Sequence, residues 1–314
     1  MGKIAFLFPG QGSQTVGMGK EMADSFAESR AIFEVADQTL HTDLSRLIFE
    51  GPQEELTLTT NAQPALMTTS IAILEHFKQY GIKPDYCAGH SLGEYTALVA
   101  AGAFSFEDGV YAVRKRGEFM EEAVPAGEGT MAAVLGMERD ALTAVCEEIT
   151  NSGNPVQLAN MNCPGQIVIS GSKTGVELAS EKAKENGAKR VLPLVVSGPF
   201  HSSLMKPAAE KLSDVLNGIT IKNVTIPVIA NVTAAPMTEA EDIKQKLIQQ
   251  LYSPVLWEDS VKQMLELGVD TFIEIGSGKV LSGLVKKVDR KARTYSVSDV
   301  ESLKATIEAL KEEA

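Results

Sequence analysis

The sequence predicts an α/β fold built as two units. One is a largely parallel sheet covered by helices on both faces, and the other is a smaller ferredoxin-like unit inserted into it. Two observations carry this. Along most of the chain, short apolar strands alternate with amphipathic helices, the rhythm of a parallel sheet with crossovers on both sides. Between about residues 126 and 198 the order becomes strand, helix, strand, strand, helix, strand, which is the ferredoxin-like motif. The larger unit is then discontinuous, 1–125 and 199–314, with 126–198 set into it.

The elements follow in order. "KIAFLF" is a strand ending at the turn "PGQGSQ". "PALMTTSIAILEHFKQYG" reads as a helix, with Gly81 as its stop before "IKPD". "DYCAGH" is a short strand that turns at Ser91, and "EYTALVAAGAF" continues as an apolar helix or helix-turn. Residues 106–124 form another helix, and "VPAGEG" is a turn-rich linker. The inserted unit then runs through "TMAAVLG" (strand), "RDALTAVCEEITNSG" (helix), "VQLANMN" (strand), the turn "CPG", "QIVISGS" (strand), "KTGVELASEKAKENG" (helix) and "AKRVLPLVVSG" (strand). "IPVIANV", "TFIEIG" and "TYSVS" supply later strands of the larger unit.

Bulk properties exclude several classes. With 314 residues, 44% of them hydrophobic, the chain can bury a sizeable core. A net charge of −12 leaves no basic excess for nucleic acid. Cys87, Cys146 and Cys163 are far apart, with no C-x-x-C and no Cys/His ligand spacing, so they read as free thiols in a reducing compartment and no metal is expected. The apolar run Ile4 to Phe8 is too short for a signal peptide, and no run approaches the ~18 residues of a membrane span. The expectation is a soluble cytoplasmic protein with no membrane partner.

Gly89, Ser91 and Gly93 spell G-x-S-x-G between a short strand and a helix, the setting of a nucleophile elbow. A serine hydroxyl needs a base. Of the four histidines, His90 adjoins the serine and should leave the turn in another direction. His76 lies on a helix beside Glu75 and near Lys78 and reads as solvated, and His41 sits in the polar turn "LHTDL". His201 follows a strand that runs out into a Gly-Pro loop, which makes it the candidate base. No acid between residues 91 and 201 sits at a convincing strand end, so a backbone carbonyl or amide oxygen is the alternative holder of the ring. Oxyanion donors are expected from the N–H groups of Leu92 and of Gln11 in "FPGQGSQ". That loop lacks the Lys-Ser/Thr of a phosphate-binding loop. On the 106–124 helix, Arg114 and Arg116 flank the apolar face at equal offsets, and the wheel does not choose between them. An arginine at that edge suits a carboxylate or phosphate partner, or a structural ion pair.

Seven motifs in order, "FPGQGSQ", "AGHSLGEY", "VRKRGEFM", "NCPGQIVISG", "LPLVVSGPFHSSLM", "QLYSPVLW" and "IEIGSGKVLSGL", span nearly the whole chain. Together they resemble the acyltransferase family of bacterial malonyl-CoA:acyl carrier protein transacylases and polyketide synthase acyltransferase domains. The resemblance implies an α/β-hydrolase-like large subdomain with the ferredoxin-like insertion. It implies Ser91 as nucleophile, His201 as base, Gln11 and Leu92 as oxyanion donors, Arg116 as the carboxylate-binding residue, and the main-chain carbonyl of Gln250 in place of an acid. Phe200 matches the form associated with malonyl rather than methylmalonyl selection.

The activity so implied is ping-pong transfer of malonyl from malonyl-CoA, through malonyl-Ser91, to the phosphopantetheine thiol of acyl carrier protein. No permanently bound cofactor is needed. The partner brings the phosphopantetheine, and the enzyme is expected to be a monomer. The basic segment 279–293, with Lys286 and Lys287, is a candidate docking surface for the acidic carrier. A serine hydrolase on the same elbow and a non-catalytic carrier-binding scaffold are the rival readings.

Overall fold

The computed structural model describes residues 2–125 and 127–312. Ten strands run through them: β1 (Lys3–Phe8), β2 (Tyr86–Gly89), β3 (Gly129–Leu135), β4 (Val156–Cys163), β5 (Gln166–Ser172), β6 (Arg190–Pro193), β7 (Val228–Ile229), β8 (Pro236–Met237), β9 (Val269–Ile275) and β10 (Arg293–Val297). Six form one sheet in the order β10-β9-β1-β2-β7-β8. All its neighbours are parallel except the short β7–β8 pair. β1 lies inside this sheet and buries every side chain after Lys3, which is why "IAFLF" is continuously apolar instead of alternating.

The other four strands form an antiparallel sheet, β4-β5-β3-β6. With the helices Arg139–Asn151 and Lys173–Glu185 between its strands, this is the ferredoxin-like arrangement expected from the sequence. Its two faces do different jobs. Ala132, Val134 and Ile169 pack under its own helices, with Leu142 and Val176. Met131, Ala133, Ala159 and Val168 join the core of the larger sheet. Val255 also adds to the edge of β4, donating to the Ala159 carbonyl and accepting from the Met161 N–H.

Several elements depart from the sequence reading. The helix expected to begin at Pro64 begins at Thr59, so its proline lies inside the helix. That extra turn is anchored by the Thr60 hydroxyl, which donates to Glu121 at 2.7 Å. The same helix, Thr59–Phe77, is buried on almost every side. This corrects His76: it is buried, stacked on Phe26 and paired with Glu28. The helix Ala27–Leu40, which packs over this region, covers it. "IPVIANV" contributes only Val228–Ile229 to the sheet, because Asn231 turns inward to bond the serine turn. "AKRVLPLVVSG" is strand only over Arg190–Pro193; after a last bond from the Leu194 N–H to the Met131 carbonyl the chain leaves the sheet, and Leu194 to Ser197 border a cleft.

The C-terminal ends of β1 and β2 meet where Ser91 joins β2 to the helix Leu92–Ala101. Two glycines permit the approach. A Cβ on Gly93 would lie 2.1 Å from the Phe8 carbonyl oxygen, and one on Gly89 would lie 1.9 Å from the Gly93 backbone. Gly93→Ala must therefore push the helix off β1. The expected loss is about 1–3 kcal/mol of unfolding free energy or more, read from denaturant unfolding. An unchanged midpoint would show that the approach is not constraining.

Candidate active site

Ser91 occupies a backbone conformation that non-glycine residues avoid, φ 52° and ψ −109°. Such strain costs of order 1–3 kcal/mol and persists only where neighbours fix it. Here two side chains do so. Asn231 Oδ1 accepts the Ser91 N–H at 2.8 Å, while its Nδ2 donates to the Gly89 carbonyl at 2.8 Å. Gln250 Nε2 donates to the Ser91 carbonyl at 2.9 Å. The turn thus presents the hydroxyl on a fixed mount.

His201 comes from the loop after β6, again at positive φ, 58°. Its Nε2 is 2.8 Å from Ser91 Oγ, and its Nδ1 is 2.8 Å from the main-chain carbonyl oxygen of Gln250. A carbonyl only accepts, so Nδ1 carries the proton and Nε2 offers a lone pair to the serine hydroxyl. Burial, then the nearby Arg116 charge, push the imidazole down to about 3, against the support of the Gln250 carbonyl.

The helix Phe106–Glu122 settles which arginine faces inward. Its start is fixed by the Ser105 hydroxyl, which accepts the Asp108 N–H. Arg114 is partly exposed and donates to Asn61. Arg116 is 1% exposed. Its guanidinium donates to Gln63 Oε1 at 2.8 Å, Gln250 Oε1 at 2.9 Å and Ser91 Oγ at 3.0 Å. Tyr95 lies under the cation, with 5.4 Å from guanidinium carbon to ring centre. Every one of these partners is neutral. Desolvation lowers the arginine's pKa, yet a guanidinium starts so high that it stays charged. A cation buried this way is poised for an anion that the protein does not itself bring into contact.

Behind the three stands a polar layer. Glu94 Oε2 accepts from Gln250 Nε2 at 2.6 Å and from the Asn231 N–H at 3.2 Å. Gln250 therefore serves twice, its carbonyl on His201 and its side chain on Arg116, Glu94 and Ser91. Sequence reasoning did not find Gln63, Glu94 or Asn231. Glu94 directly follows the elbow motif, and a carboxylate in an otherwise apolar helix start was its available signal. Asn231 and Gln63 gave none, since their partners lie far away in the chain.

A cleft of about 560 Å³ opens on Ser91 and His201, with Gln11, Met120, Met131 and Phe200 among its walls. The Gln11 side chain donates to Thr59, and Thr59 meets Ser197, which closes the rim. Gly10 sits directly on the elbow, since a Cβ there would lie 2.5 Å from the His90 carbonyl oxygen. Leu92 is the first residue of its helix, where backbone N–H groups lack intrahelical partners. Phe200 is buried beside His201. His90 does point elsewhere, with Nε2 at 2.9 Å from Asn162 Oδ1 and its ring against Trp257. Lys286 and Lys287 are exposed at the end of the helix Val280–Val288 and are not among the cleft residues. Among the described residues no cluster of His, Cys, Asp or Glu could hold a metal ion, and no helix is long and apolar enough to cross a membrane.

Comparison with known proteins agrees with this geometry. The acyl transferase domain family matches residues 5–305. The chain belongs to the acyl transferase family. This acyl transferase is 67% identical over 313 residues to a malonyl CoA-acyl carrier protein transacylase of Bacillus subtilis (strain 168), covering 100% of this chain and 99% of that one. A crystal structure of malonyl CoA-acyl carrier protein transacylase from Clostridium perfringens superposes with a TM-score of 0.96 at 45% identity, covering 99% of this chain and 98% of that chain. Another similar structure holds a type II PKS acyl-carrier protein in complex with its malonyl-transacylase, with a TM-score of 0.95 at 42% identity, covering 98% and 99%.

In this acyl transferase the imidazole of His201 should remain neutral through the range where ordinary histidines titrate. Its protonated form lacks water and faces a cation, so lowering the pH from 8 to 4 should leave its Cε1–H NMR shift at the neutral value, with the change near about pH 3. A midpoint near the ordinary histidine value, ~6.5, would contradict the burial and charge argument.

Proposed function

We propose that the protein transfers a malonyl group from malonyl-CoA to the phosphopantetheine thiol of acyl carrier protein, supplying fatty acid synthesis. One observation carries the reading: Ser91 Oγ lies between a neutral, correctly protonated histidine and a buried guanidinium that has only neutral partners. The names of the similar enzymes, and the carrier protein bound to one of them, support the substrate and the partner.

The cycle has two halves. Ser91 Oγ attacks the thioester carbonyl as its proton passes to His201 Nε2, and the Gln250 carbonyl keeps Nδ1–H in place. The negative charge that develops on the carbonyl oxygen falls to the N–H groups of Leu92 and Gln11. The carbon–sulfur bond breaks, the CoA thiolate takes the proton from His201, and malonyl-Ser91 remains. In the second half His201 accepts the proton of the carrier's phosphopantetheine thiol, whose sulfur attacks the ester; the carbon–oxygen bond breaks, and His201 Nε2 returns the proton to Ser91 Oγ. One ester and two thioesters interchange, so no permanently bound cofactor is required.

Arg116 receives the malonyl carboxylate. A neutral acyl group would leave the guanidinium without an anion, so selectivity follows from a buried charge. Phe200, buried beside His201, limits the room for an α-methyl branch. In the same reading, residues 126–198 form a small subdomain against the discontinuous catalytic one, and Lys286 and Lys287 attract the acidic carrier. The protein acts as a cytoplasmic monomer.

The test follows the acyl group. Labelled malonyl-CoA should leave label on Ser91, located by mass spectrometry, and added holo carrier should remove it as malonyl-carrier. Ser91→Ala should carry no label. Release as free malonate would make the protein a hydrolase, and carrier binding without an adduct would make it a scaffold. Arg116→Ala should lower malonyl transfer by about 10- to 100-fold, the worth of a charged hydrogen-bonded contact, and acetyl transfer much less. Equal losses would remove the carboxylate role. Reversing the charge of Lys286 and Lys287 should raise the carrier's KM in a salt-dependent way.

A further inference from the structure

Glu94 has no part in the cycle above, yet it is fully buried one residue layer behind the nucleophile. Its Oε2 accepts from Gln250 Nε2 and the Asn231 N–H, while its Oε1 is buried with no hydrogen-bond partner. On the far side of the Gln250 amide, Oε1 of that residue accepts from Arg116 Nη2. One amide group therefore links a buried carboxyl to a buried guanidinium, taking a bond from the cation and giving one to the anion.

The other charged or titratable groups around Glu94 do not displace Arg116 from this role. Lys246, from the helix Ala240–Gln250, is paired with Asp242. Tyr95, on the same helix as Glu94, is buried, and burial pushes its phenol well above its ordinary range, hence neutral. His201, which approaches from the loop after β6, is held neutral as described above. Burial raises the Glu94 carboxyl to about 7, and its bonds to Gln250 and Asn231, with the charges of Arg116 and Lys246, pull the other way. In the free protein near neutrality, one buried cation thus faces one buried carboxyl that titrates in the working range.

A substrate carboxylate on Arg116 upsets this balance. Two anions would then share one cation out of water, and a surplus buried charge is costly enough that the group changes its protonation instead. The geometry offers one place for the proton, the unpartnered Oε1. We propose that Glu94 is the resting counter-charge of Arg116, and that it takes up a proton from solvent when a substrate carboxylate occupies the guanidinium. The reaction is Glu94 carboxylate plus one proton giving the neutral acid, with nothing oxidised and no bond to substrate. Glu94 is a charge-balancing and positioning residue, and its role rests on the malonyl reading given above.

The two linked quantities are proton uptake and pH-dependent affinity. Below about pH 6 Glu94 is already protonated, and malonyl-CoA should bind without uptake. Above about pH 7 each malonyl-Ser91 formed should remove up to one proton from solution, and KM for malonyl-CoA should rise by up to about tenfold per pH unit. Acetyl-CoA brings no carboxylate, so its KM should be flat over the same range, and any acetyl-Ser91 should form without uptake.

The experiment mixes full-length protein with malonyl-CoA in weak buffer containing a pH indicator at pH 8, in single turnover. Malonyl-Ser91 is quantified by mass spectrometry on the same samples. Uptake with malonyl-CoA, its absence with acetyl-CoA, and its loss in Glu94→Gln together with a flattened KM profile would establish the proposal. A purely structural Glu94 would change kcat or stability in that variant and leave the pH slope of KM intact, which overturns it. Should Glu94→Gln fail to fold, the wild-type contrast between malonyl and acetyl substrates decides alone, and equal uptake or none with both overturns it. Adduct without uptake defeats this proposal only, whereas no adduct at all defeats the malonyl reading and this proposal with it.

Discussion

A permanent positive charge is buried beside the serine with no carboxylate touching it, and much of the surrounding polar structure answers to that fact. Arg116 is held by two amide oxygens, a hydroxyl and an aromatic face. Each partner stabilises a cation without neutralising it. The residues that supply these contacts come from three separate stretches of chain, around 63, 91–95 and 250. The guanidinium is therefore a hub on which a helix of the larger sheet, the serine turn and the chain after residue 250 are jointly aligned. After burial itself, this charge also lowers the basicity of His201.

Near this hub the small sheet and the larger unit are joined through both strand and loop residues. His201 leaves the loop after β6, while Gln157 on β4 donates to the His201 carbonyl at 3.3 Å and accepts the Ser203 N–H at 2.9 Å. Val255 then completes the edge of β4 only five positions after Gln250. The imidazole is consequently fixed from the small sheet at its backbone and from the larger unit at its ring. That arrangement explains why an inserted unit far from the serine in sequence is part of the site's mechanics.

Local features were legible in the sequence, and long-range polar contacts were not. The elbow, the elements of the ferredoxin-like unit and the inward face of the helix Phe106–Glu122 each follow from the pattern of a single continuous stretch of chain. His201 is reached by elimination among four histidines, and the absence of a usable acid points to a non-carboxylate holder for its ring; in the structure its Nδ1 lies against the Gln250 carbonyl. The choice of Arg116 over Arg114 and of Gln250 as that holder needed the family resemblance, because a wheel and a motif carry no third dimension. Asn231 and Gln63 were invisible, since an amide side chain reads as surface until its partner, 140 residues away for Asn231, is known. His76 was misjudged for the related reason that its own charged neighbours suggested water, while the layer that covers it comes from residues 26 and 28.

The weak hold of His201 on a proton has a further consequence. A group that is a feeble base is, once protonated, a strong acid, and its conjugate acid here sits far below any thiol. In the cycle proposed above, a proton taken from Ser91 would therefore pass readily to the departing sulfur, and the same would hold when the roles of the two thiols are exchanged. The imidazole itself therefore stores no proton between the two proposed half-reactions. Both directions of that proposed cycle would use the same imidazole, leaving net flow to the relative supply of the two thiols.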